Sequence, residues 1–251
     1  MMIFYDIAST RLNTSWSPNT WKTRFALNFK GIPYRTEWIE FGDIEAHSVK
    51  NGFLPTSKKA DGRPRYTLPA IYDESTGAKI ADSELIADYL EATYPDTPPL
   101  FPNNTHALQA AFEPAMRTTV DAVFQFMLPY LMTGKFFSEE TERKYRAVVE
   151  PMFRGKRLED LLPVGEERVK QWERFKDDAG KAASWYDKNN GKGPFILGKT
   201  PSWADFVAAS YLLWVRILLG EDSEEWKDLK TWHNGRWKAL FEAVKKYEGA
   251  S

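Results

Sequence analysis

The side chains that could do chemistry are few, and a serine followed by a proline is the first candidate. Ser17-Pro18 follows an apolar run at residues 3–7, and aromatic residues then recur at i+4 steps from Trp21 to Phe29. Serine as N-cap and proline at the first helical position begin a helix. A helix N-terminus carries unpaired N–H groups and about half a positive charge, which stabilise an anion. The stretch therefore predicts either a helix cap alone or a reactive corner of an enzyme.

Composition excludes most other chemistry. The chain of 251 residues contains no cysteine, which excludes disulfides, thiolate metal sites and a redox cycle run by its own thiols. The three histidines are scattered, which argues against a histidine zinc site and against a Ser-His-Asp triad. We therefore expect no metal.

Charge and hydropathy argue against two classes of partner. The net charge of −1 attracts neither nucleic acid nor an anionic membrane. The longest apolar runs are far shorter than a membrane span, and residues 1–11 lack the basic region and apolar core of a signal peptide. We expect no nucleic-acid partner, no membrane and a cytoplasmic location.

Strand and helix patterns alternate over the first hundred residues. A polar, basic loop at residues 55–65 interrupts them. The predicted order is β-α-β-α-β-β-α, with strands at 3–7, 33–41, 67–73 and 78–82 and helices at 17–31, 42–52 and 82–95.

The second part of the chain has helical patterns throughout. Four prolines within residues 95–104 indicate a linker. Pro114 and Pro129 are expected to break or kink a long helix at 107–132, and Ser202 with Asp205 fits a capping box. Further helices are predicted at 142–155, 165–189, 201–220 and 236–248. The predicted domains are 1–95, a linker at 96–104 and an all-helical domain at 105–251.

Four stretches in this order resemble the cytosolic glutathione transferases. They are "SPNTWKTR" at the start of the first helix, "TLPAIYD" with its proline, "ADSELIADYLEATYP", and "FILGKTPSWADFVAASYL". The resemblance covers nearly the whole chain. It implies an α/β thioredoxin-like N-terminal domain plus an all-α helical C-terminal domain, the glutathione transferase fold. The first hundred residues also look like the fungal etherase-related, serine-type transferases, which are often ligandin-like.

The resemblance assigns roles around glutathione, the expected co-substrate. Ser17 would donate a hydrogen bond to the sulfur, and Ser15 and Asn19 are neighbouring donors that could share or take this role. Because a free thiol has a pKa near ~8.5, a donor and a helix end that lower it would make much of it thiolate at neutral pH. A plain helix cap stays the alternative for Ser17.

The remaining glutathione contacts follow from the same resemblance. Leu68, before a cis Pro69, would pair its backbone with the cysteinyl backbone of the ligand. Asp82 and Ser83 would hold the γ-glutamyl group, with Asp82 facing its ammonium. Ordinary trans proline and a plain N-cap are the alternatives. The glycyl carboxylate needs a cation or donor, and we take Lys50 and Arg63 into the predicted site from the candidates His47, Lys50, Lys58, Lys59, Arg63 and Arg65.

A second, hydrophobic substrate is expected between the domains, against residues 123–137 and the helix after residue 202. Rings and methionines make an adaptable apolar wall, although helix-helix core packing would use the same residues. The residues predicted for this wall are Phe124, Met127, Tyr130, Met132, Tyr211 and Trp214.

Three functions compete. The first is a transferase that conjugates glutathione to hydrophobic, aromatic electrophiles or cleaves aryl ethers. The alternative is a weakly catalytic ligandin that binds hydroxylated aromatics such as polyphenols, and the third is a structural module. The complete set of ligand residues argues against the third. The resemblance also implies a homodimer.

Overall fold

The N-terminal half alternates strands and helices as the sequence predicts. The structure is a computed structural model that describes residues 1–10, 15–133 and 136–249. The elements of this half are β1 (Met2–Ile7), α1 (Pro18–Lys30), β2 (Tyr34–Ile39), α2 (Ile44–Asn51), β3 (Ser57–Lys58), β4 (Pro64–Arg65), β5 (Ala70–Asp73), β6 (Ala78–Ala81) and α3 (Ser83–Thr93).

The described residues of this half form a mixed, four-stranded sheet with the order β2-β1-β5-β6. β1 pairs with β2 in parallel, with Met2 opposite Tyr34, and with β5 antiparallel, with Tyr5 opposite Ala70. All six residues of β1 are buried. The parallel pair needs a crossover, and α1 supplies it. The sheet and α1 therefore form the thioredoxin-like part of the expected fold.

A hairpin of β3 and β4 stands where the sequence predicts a loop. The N–H of Thr56 donates to the carbonyl of Arg65, and that of Lys59 to Arg63, each at 2.8–2.9 Å. Gly62 adopts φ 82 in the turn, a conformation that glycine takes without steric cost. Two residues a strand are too few for the alternating pattern that identifies strands in a sequence.

α1 is capped at both ends and buried along much of its length. Ser17 is its N-cap, Pro18 its first residue and Gly31 its C-cap, with φ 66. The ring of Phe25 is fully buried and stacks on Phe206 of the helical half, with centroids 5.6 Å apart and planes 14° apart. α1 therefore packs between the sheet and the second half of the chain.

Asp73 fastens α3 to the end of β5. Its carboxylate accepts hydrogen bonds from the hydroxyls of Tyr89 and Tyr94 and from both the hydroxyl and the N–H of Ser75. Burial opposes the charge, but these hydrogen bonds outweigh it and lower the pKa of Asp73 to about 2. The contact sets the position of α3 against the sheet.

The second half consists of helices. They are α4 (His106–Val120), α5 (Val123–Leu131), α6 (Glu139–Val149), α7 (Gly165–Asp187), α8 (Trp203–Leu219) and α9 (Glu224–Val244). Short 3-10 turns follow α6 at Glu150–Phe153 and Leu158–Leu161. No helix among the described residues combines the length and the apolar character needed to cross a bilayer.

The sequence predicts a break or kink of the first long helix at its prolines, but the helix is interrupted at neither of them. Pro114 lies inside α4 and Pro129 inside α5. The chain turns instead at Asp121, where the N–H of Phe124 donates to the Asp121 carbonyl three residues back. A proline removes one N–H donor, and these helices continue on their other bonds. The turn keeps both Val120 and Val123 fully buried.

The predicted capping box is present at the start of α8. The side chain of Asp205 accepts from the N–H and the hydroxyl of Ser202, each at 2.9 Å, and from the N–H of Ile196 at 2.8 Å. Asp205 and Ser202 are fully buried. The box fixes the entry to a helix whose residues are nearly all buried.

Candidate functional site

The corner before α1 is held by the helical half of the chain. The indole N–H of Trp21 donates to the carbonyl of Ser15 at 3.0 Å. The ring of Trp16 packs edge-on against Phe137 at 5.2 Å and Tyr145 at 6.3 Å. Ser17 is buried, with 4% of its surface exposed. The first turn of α1 therefore starts from a fixed backbone position.

The hydroxyl groups of Ser15, Ser17 and Thr20 differ in which of their hydrogen bonds are already made. The N–H of Asn19 donates to the Ser17 hydroxyl at 3.3 Å, so capping uses the oxygen of Ser17 as an acceptor. The Thr20 hydroxyl donates to the carbonyl of Ser17 at 3.1 Å, which leaves its oxygen to accept from the Ser15 hydroxyl at 3.3 Å. Among the described residues no acceptor takes the Ser17 proton. Ser17 can therefore cap the helix as an acceptor and also donate its proton to an anion. The proton of Ser15 is already used in the hydrogen bond to Thr20.

Leu68 and Pro69 are joined by a cis peptide bond, as the family resemblance implies. Both residues are buried and lead into β5 beside β1. The N–H of Asp82 donates to the carbonyl of Pro69 at 3.1 Å, which joins this corner to the start of α3. In the described part of the chain, the N–H and carbonyl of Leu68 have no hydrogen-bond partner. They are free to pair with an extended backbone.

The start of α3 has the geometry of an anion site. Asp82 is its N-cap, and its carboxylate accepts from the N–H groups of Glu84 at 2.9 Å and Leu85 at 3.3 Å. Asp82 has φ 92, a backbone conformation that residues other than glycine rarely adopt. Ser83, the first helical residue, is buried. The N-terminal N–H groups and the Ser83 hydroxyl suit a carboxylate, and the Asp82 carboxylate suits an ammonium.

Several carboxylates gather at this helix end. Burial raises the pKa of Glu84, and the neighbouring charges of Glu113, Asp88 and Asp82 raise it further. The group therefore produces a negative potential beside N–H groups of positive partial charge. An amino acid, which carries both an ammonium and a carboxylate, fits this combination.

A buried lysine of α1 joins three helices and was missed by sequence reasoning. The Lys22 ammonium donates to the side chains of Asn19 at 3.3 Å, Tyr211 at 3.0 Å and Glu113. Only 3% of the Lys22 side chain is exposed. The signal in the sequence was its position four residues before the fully buried Ala26, on the inner face of α1.

The candidates for the glycyl carboxylate lie on α2 and the hairpin. Lys50 is exposed in the last turn of α2. Arg63 is exposed at the tip of the hairpin, where its guanidinium donates to Asp61 at 2.7 Å. Lys59 pairs with Glu45 of α2 at 2.7 Å. Arg63 thus pairs with a neighbour in its own turn, in an exposed ion pair of the kind that contributes little.

His47 of α2 packs against the sheet. Its ring lies 4.8 Å from that of Tyr5 on β1. Burial lowers the pKa of His47, against the opposing charge of Glu37, and the charge of Lys50 adds to the lowering. A neutral ring that packs on the sheet is a poor partner for a carboxylate. Lys58 is exposed, and Arg65 is half-buried at the base of the hairpin.

A cavity of about 690 Å³ lies inside the helical half. It is partly open to solvent and is lined by residues of α4, α5, α6, α7 and the 3-10 turns between α6 and α7. Phe124, Leu128, Tyr145 and Phe153 supply apolar walls, and Arg117 and Lys156 supply charge. The Arg117 guanidinium lies 4.1 Å from the centre of the Phe124 ring. The volume lies in the range of small-molecule sites, although the lining carries more charge than is usual for them.

The residues predicted for the hydrophobic wall divide into two groups. Phe124 lines the cavity, and the centre of its ring lies 5.0 Å from that of Trp214 and 6.4 Å from that of Tyr211. Met127, Met132, Tyr211 and Trp214 are buried side chains outside the cavity lining, and Tyr130 is half-buried outside it. Most of these residues therefore pack between helices. Residues 134 and 135 of the predicted wall lie outside the described residues.

Tyr145 is a second residue that sequence reasoning missed. Its ring lines the cavity and also packs on Trp16, directly before Ser17. Burial raises the pKa of Tyr145. No pattern in the sequence of α6 indicates this contact, because Trp16 precedes it by more than a hundred residues. Tyr145 therefore joins the wall of the cavity to the corner before α1.

Comparison with known proteins agrees with this fold and site. Residues 16–93 match the N-terminal domain, and residues 107–247 the C-terminal domain, of glutathione S-transferase. The chain belongs to the glutathione S-transferase family. The co-substrate of that family is glutathione, and its N-terminal domain binds it.

Similar proteins are found among fungi. The glutathione S-transferase-like protein ustS of Aspergillus flavus is 34% identical over 96% of this chain and 88% of its own length. The glutathione S-transferase CsGST63524 of Ceriporiopsis subvermispora, crystallised in complex with glutathione, is 42% identical. It covers 100% of this chain and 98% of its own, with a TM-score of 0.92. Glutathione transferase GSTFuA3 of Phanerochaete chrysosporium is 40% identical over 100% and 98%, with a TM-score of 0.91.

Proposed function

We propose that this chain is a serine-type glutathione transferase that binds glutathione across the starts of α1, β5 and α3. The observation that carries the proposal is the Ser17 hydroxyl at the N-terminus of α1, which accepts the capping bond and keeps its proton uncommitted. The free backbone groups of Leu68 and the Asp82-Ser83 helix start support it. Lys50 and Arg63 remain the candidates for the glycyl carboxylate.

The activation that we propose is electrostatic. Ser17 donates its proton to the glutathione sulfur as a hydrogen bond, and the N–H groups of α1 add a positive potential. Both favour the thiolate, so the thiol ionises near neutral pH and its proton passes to solvent. Ser17 is neither nucleophile nor base here, and a chain without cysteine loses nothing because the sulfur comes with the co-substrate.

The thiolate then attacks an electrophilic carbon of a hydrophobic, aromatic substrate. A sulfur–carbon bond forms, and the bond to the leaving group breaks with its electron pair on that group. At an aryl halide the leaving group is halide, and at a benzylic aryl ether it is a phenolate that takes a proton from solvent. The etherase-related class that the first hundred residues resemble motivates the second reaction.

A second function, binding of hydroxylated aromatics without turnover, is favoured by the cavity in the helical half. The lining of that cavity belongs to the helical half and includes neither Ser17 nor any other residue of the N-terminal half. A carrier role would use the cavity, and catalysis would use the space between the domains.

One pair of measurements tests the proposal. Calorimetry with millimolar glutathione should show binding, and steady-state turnover should be measurable with an aryl halide. Binding without turnover, together with fluorescence titration by polyphenols, would favour the carrier. No binding of glutathione at all would contradict both the ligand and the reaction, while leaving the fold unaffected.

We further propose a cytoplasmic homodimer. Large apolar side chains stand exposed on two neighbouring helices, Leu85 on α3 (56% exposed) and Leu108 on α4 (73% exposed). His106 joins these helices through Asp88 at 2.7 Å. A surface that presents both leucines suits an apolar interface between subunits.

A further inference from the structure

Lys22 holds a buried charge one turn inside α1. Its ammonium has three donors, and the structure gives it three acceptors on three helices: Asn19 of α1, Glu113 of α4 and Tyr211 of α8. Burial disfavours the charged form, but Tyr211 and Glu113 outweigh burial and raise the pKa of Lys22. The lysine is therefore a permanent cation at neutral pH.

The positive and negative ends of the Lys22–Glu113 ion pair lie toward different parts of the site. Its ammonium end contacts Asn19, whose N–H caps onto Ser17 in the first turn of α1. Its carboxylate end lies in the acidic group at the start of α3, because the charge of Glu113 acts on Glu84 beside Asp82. The second oxygen of Glu113 is buried and has no partner in the described part of the chain. The positive end faces the α1 corner and the negative end faces the α3 corner.

Glutathione would lie across these corners with its negative charge near the positive end of the pair and its positive charge near the negative end. Its sulfur, anionic when activated, would be at the start of α1, and its γ-glutamyl ammonium at the start of α3. We infer that Lys22 and Glu113 are positioning residues whose buried charges favour the thiolate at one end of glutathione and the ammonium at the other. The inference rests on the proposed function. Buried charges are screened far less than exposed ones, so such a pair acts beyond its own contacts.

Other charged groups around the pair are few. The guanidinium of Arg117 of α4 lies 5.7 Å from the centre of the Tyr211 ring. Asp82, Glu84 and Asp88 accompany Glu113 at the start of α3, where His106 pairs with Asp88 at 2.7 Å. None of these groups donates to or accepts from Lys22, so its charge is answered by Glu113 and Tyr211.

Reversing the pair tests the inference. The variant Lys22→Glu with Glu113→Lys keeps an ion pair and the net charge but reverses its direction. The ionisation of bound glutathione, followed as thiolate ultraviolet absorbance against pH with S-methylglutathione as the blank, is the readout. We expect the pH of half-ionisation to rise by about 1, with a several-fold loss of turnover at pH 7. The neutral variant Lys22→Met with Glu113→Gln should fall between the reversed pair and the wild type.

A second buried lysine of α1 supplies the matched control. Lys30 is fully buried and pairs with Glu91 of α3 at 2.9 Å, two turns further along α1. The variant Lys30→Met with Glu91→Gln removes an equivalent pair away from the Ser17 corner, and should leave thiol ionisation unchanged. Equal shifts in both neutral variants would mean a loss of stability alone and would overturn the inference.

The charge at the other end is tested with a modified ligand. Glu113→Gln should weaken binding of S-methylglutathione several-fold, and should not affect its analogue without the α-amino group. Equal weakening of both ligands would overturn the role of Glu113. If the reversed pair does not fold, the neutral variant decides, because wild-type ionisation in that variant contradicts the inference. If the wild type binds no glutathione, the proposed function itself fails.

Discussion

The N–H of Asn19 donates to the hydroxyl oxygen of Ser17 over 3.3 Å, so Ser17 caps α1 as an acceptor, and the proposed bond to glutathione would use its proton, which no acceptor takes among the described residues. This division of one hydroxyl between two tasks makes the loss of each separately measurable. Stability reports the cap, and turnover reports the donated proton.

Ser17→Ala should lower turnover at least tenfold, or about 1.4 kcal/mol in the barrier, because the sulfur loses its donor. It should also cost about 1 kcal/mol of unfolding free energy. Ser223→Ala is the control, since Ser223 caps α9 by accepting from the N–H of Trp226 at 3.3 Å. It should lose similar stability and keep full turnover. If Ser17→Ala stays active and Ser15→Ala or Asn19→Ala does not, the donor is the neighbouring residue.

Asp82→Asn should remove the negative charge at the start of α3 and keep the helix cap. Asparagine tolerates positive φ and can still accept from the N–H of Glu84. Because the neutral side chain attracts an ammonium less, we expect glutathione affinity to fall roughly tenfold, measured by calorimetry. The unfolding temperature should change little. Unchanged affinity would mean that Asp82 is only a helix cap.

Asp73 should make stability depend on pH in the acid range. Its pKa in the folded chain, about 2, lies below the value of about 3.9 in an unfolded chain. The stabilisation is therefore complete above about pH 4 and is lost as the pH falls toward 2. Asp73→Asn should lower the unfolding free energy by roughly 2 kcal/mol at pH 7, and the difference should shrink on acidification. Asp177→Asn, at an exposed carboxylate, should show no such trend.

The homodimer should depend on the exposed leucines of α3 and α4. Light scattering at micromolar concentration should give twice the mass of the 29.0 kDa chain. Leu85→Glu with Leu108→Glu should give the monomer mass, because charges are depleted from the core of such interfaces. Val169→Glu, at an exposed position of α7, is the control. A monomeric wild type would contradict the proposal.

Flat, hydroxylated aromatics should bind with micromolar affinity at best. A two-ring ligand that buries ~250 Å² gains about 6 kcal/mol, and association costs several kcal/mol of this. Phe124→Ala should weaken benzophenone and flavonoid binding about tenfold, since Phe124 both lines the cavity and contacts the α8 rings. Val169→Ala should have no effect. Affinity unchanged by Phe124→Ala would put the ligand elsewhere.

Local patterns allowed much of the fold to be predicted. The caps of α1 and α8 depend on residues within three positions of each other, as do Asp82 and the start of α3. Such signals are complete in the sequence. Breaks were predicted at the prolines of α4 and α5, but both residues lie inside helices, because the effect of a proline depends on how the surrounding helix is packed.

The long-range part of the site could not be predicted. Lys22 meets Glu113 and Tyr211, which lie 91 and 189 residues further along the chain. A lysine within a helix is usually solvated, and only the tertiary structure shows that its charge is buried. The sequence also could not separate the predicted hydrophobic wall from helix packing, since rings such as that of Trp214 are buried among the helices.

The stacking of Phe25 on Phe206 has a consequence for synthesis on the ribosome. The ring that covers the inner face of α1 is made about 180 residues after Phe25. At ~5–20 residues per second, α1 waits roughly 10 to 35 s with its apolar face uncovered. We therefore expect the nascent N-terminal half to bind chaperones during this interval and to be released once α8 has left the exit tunnel.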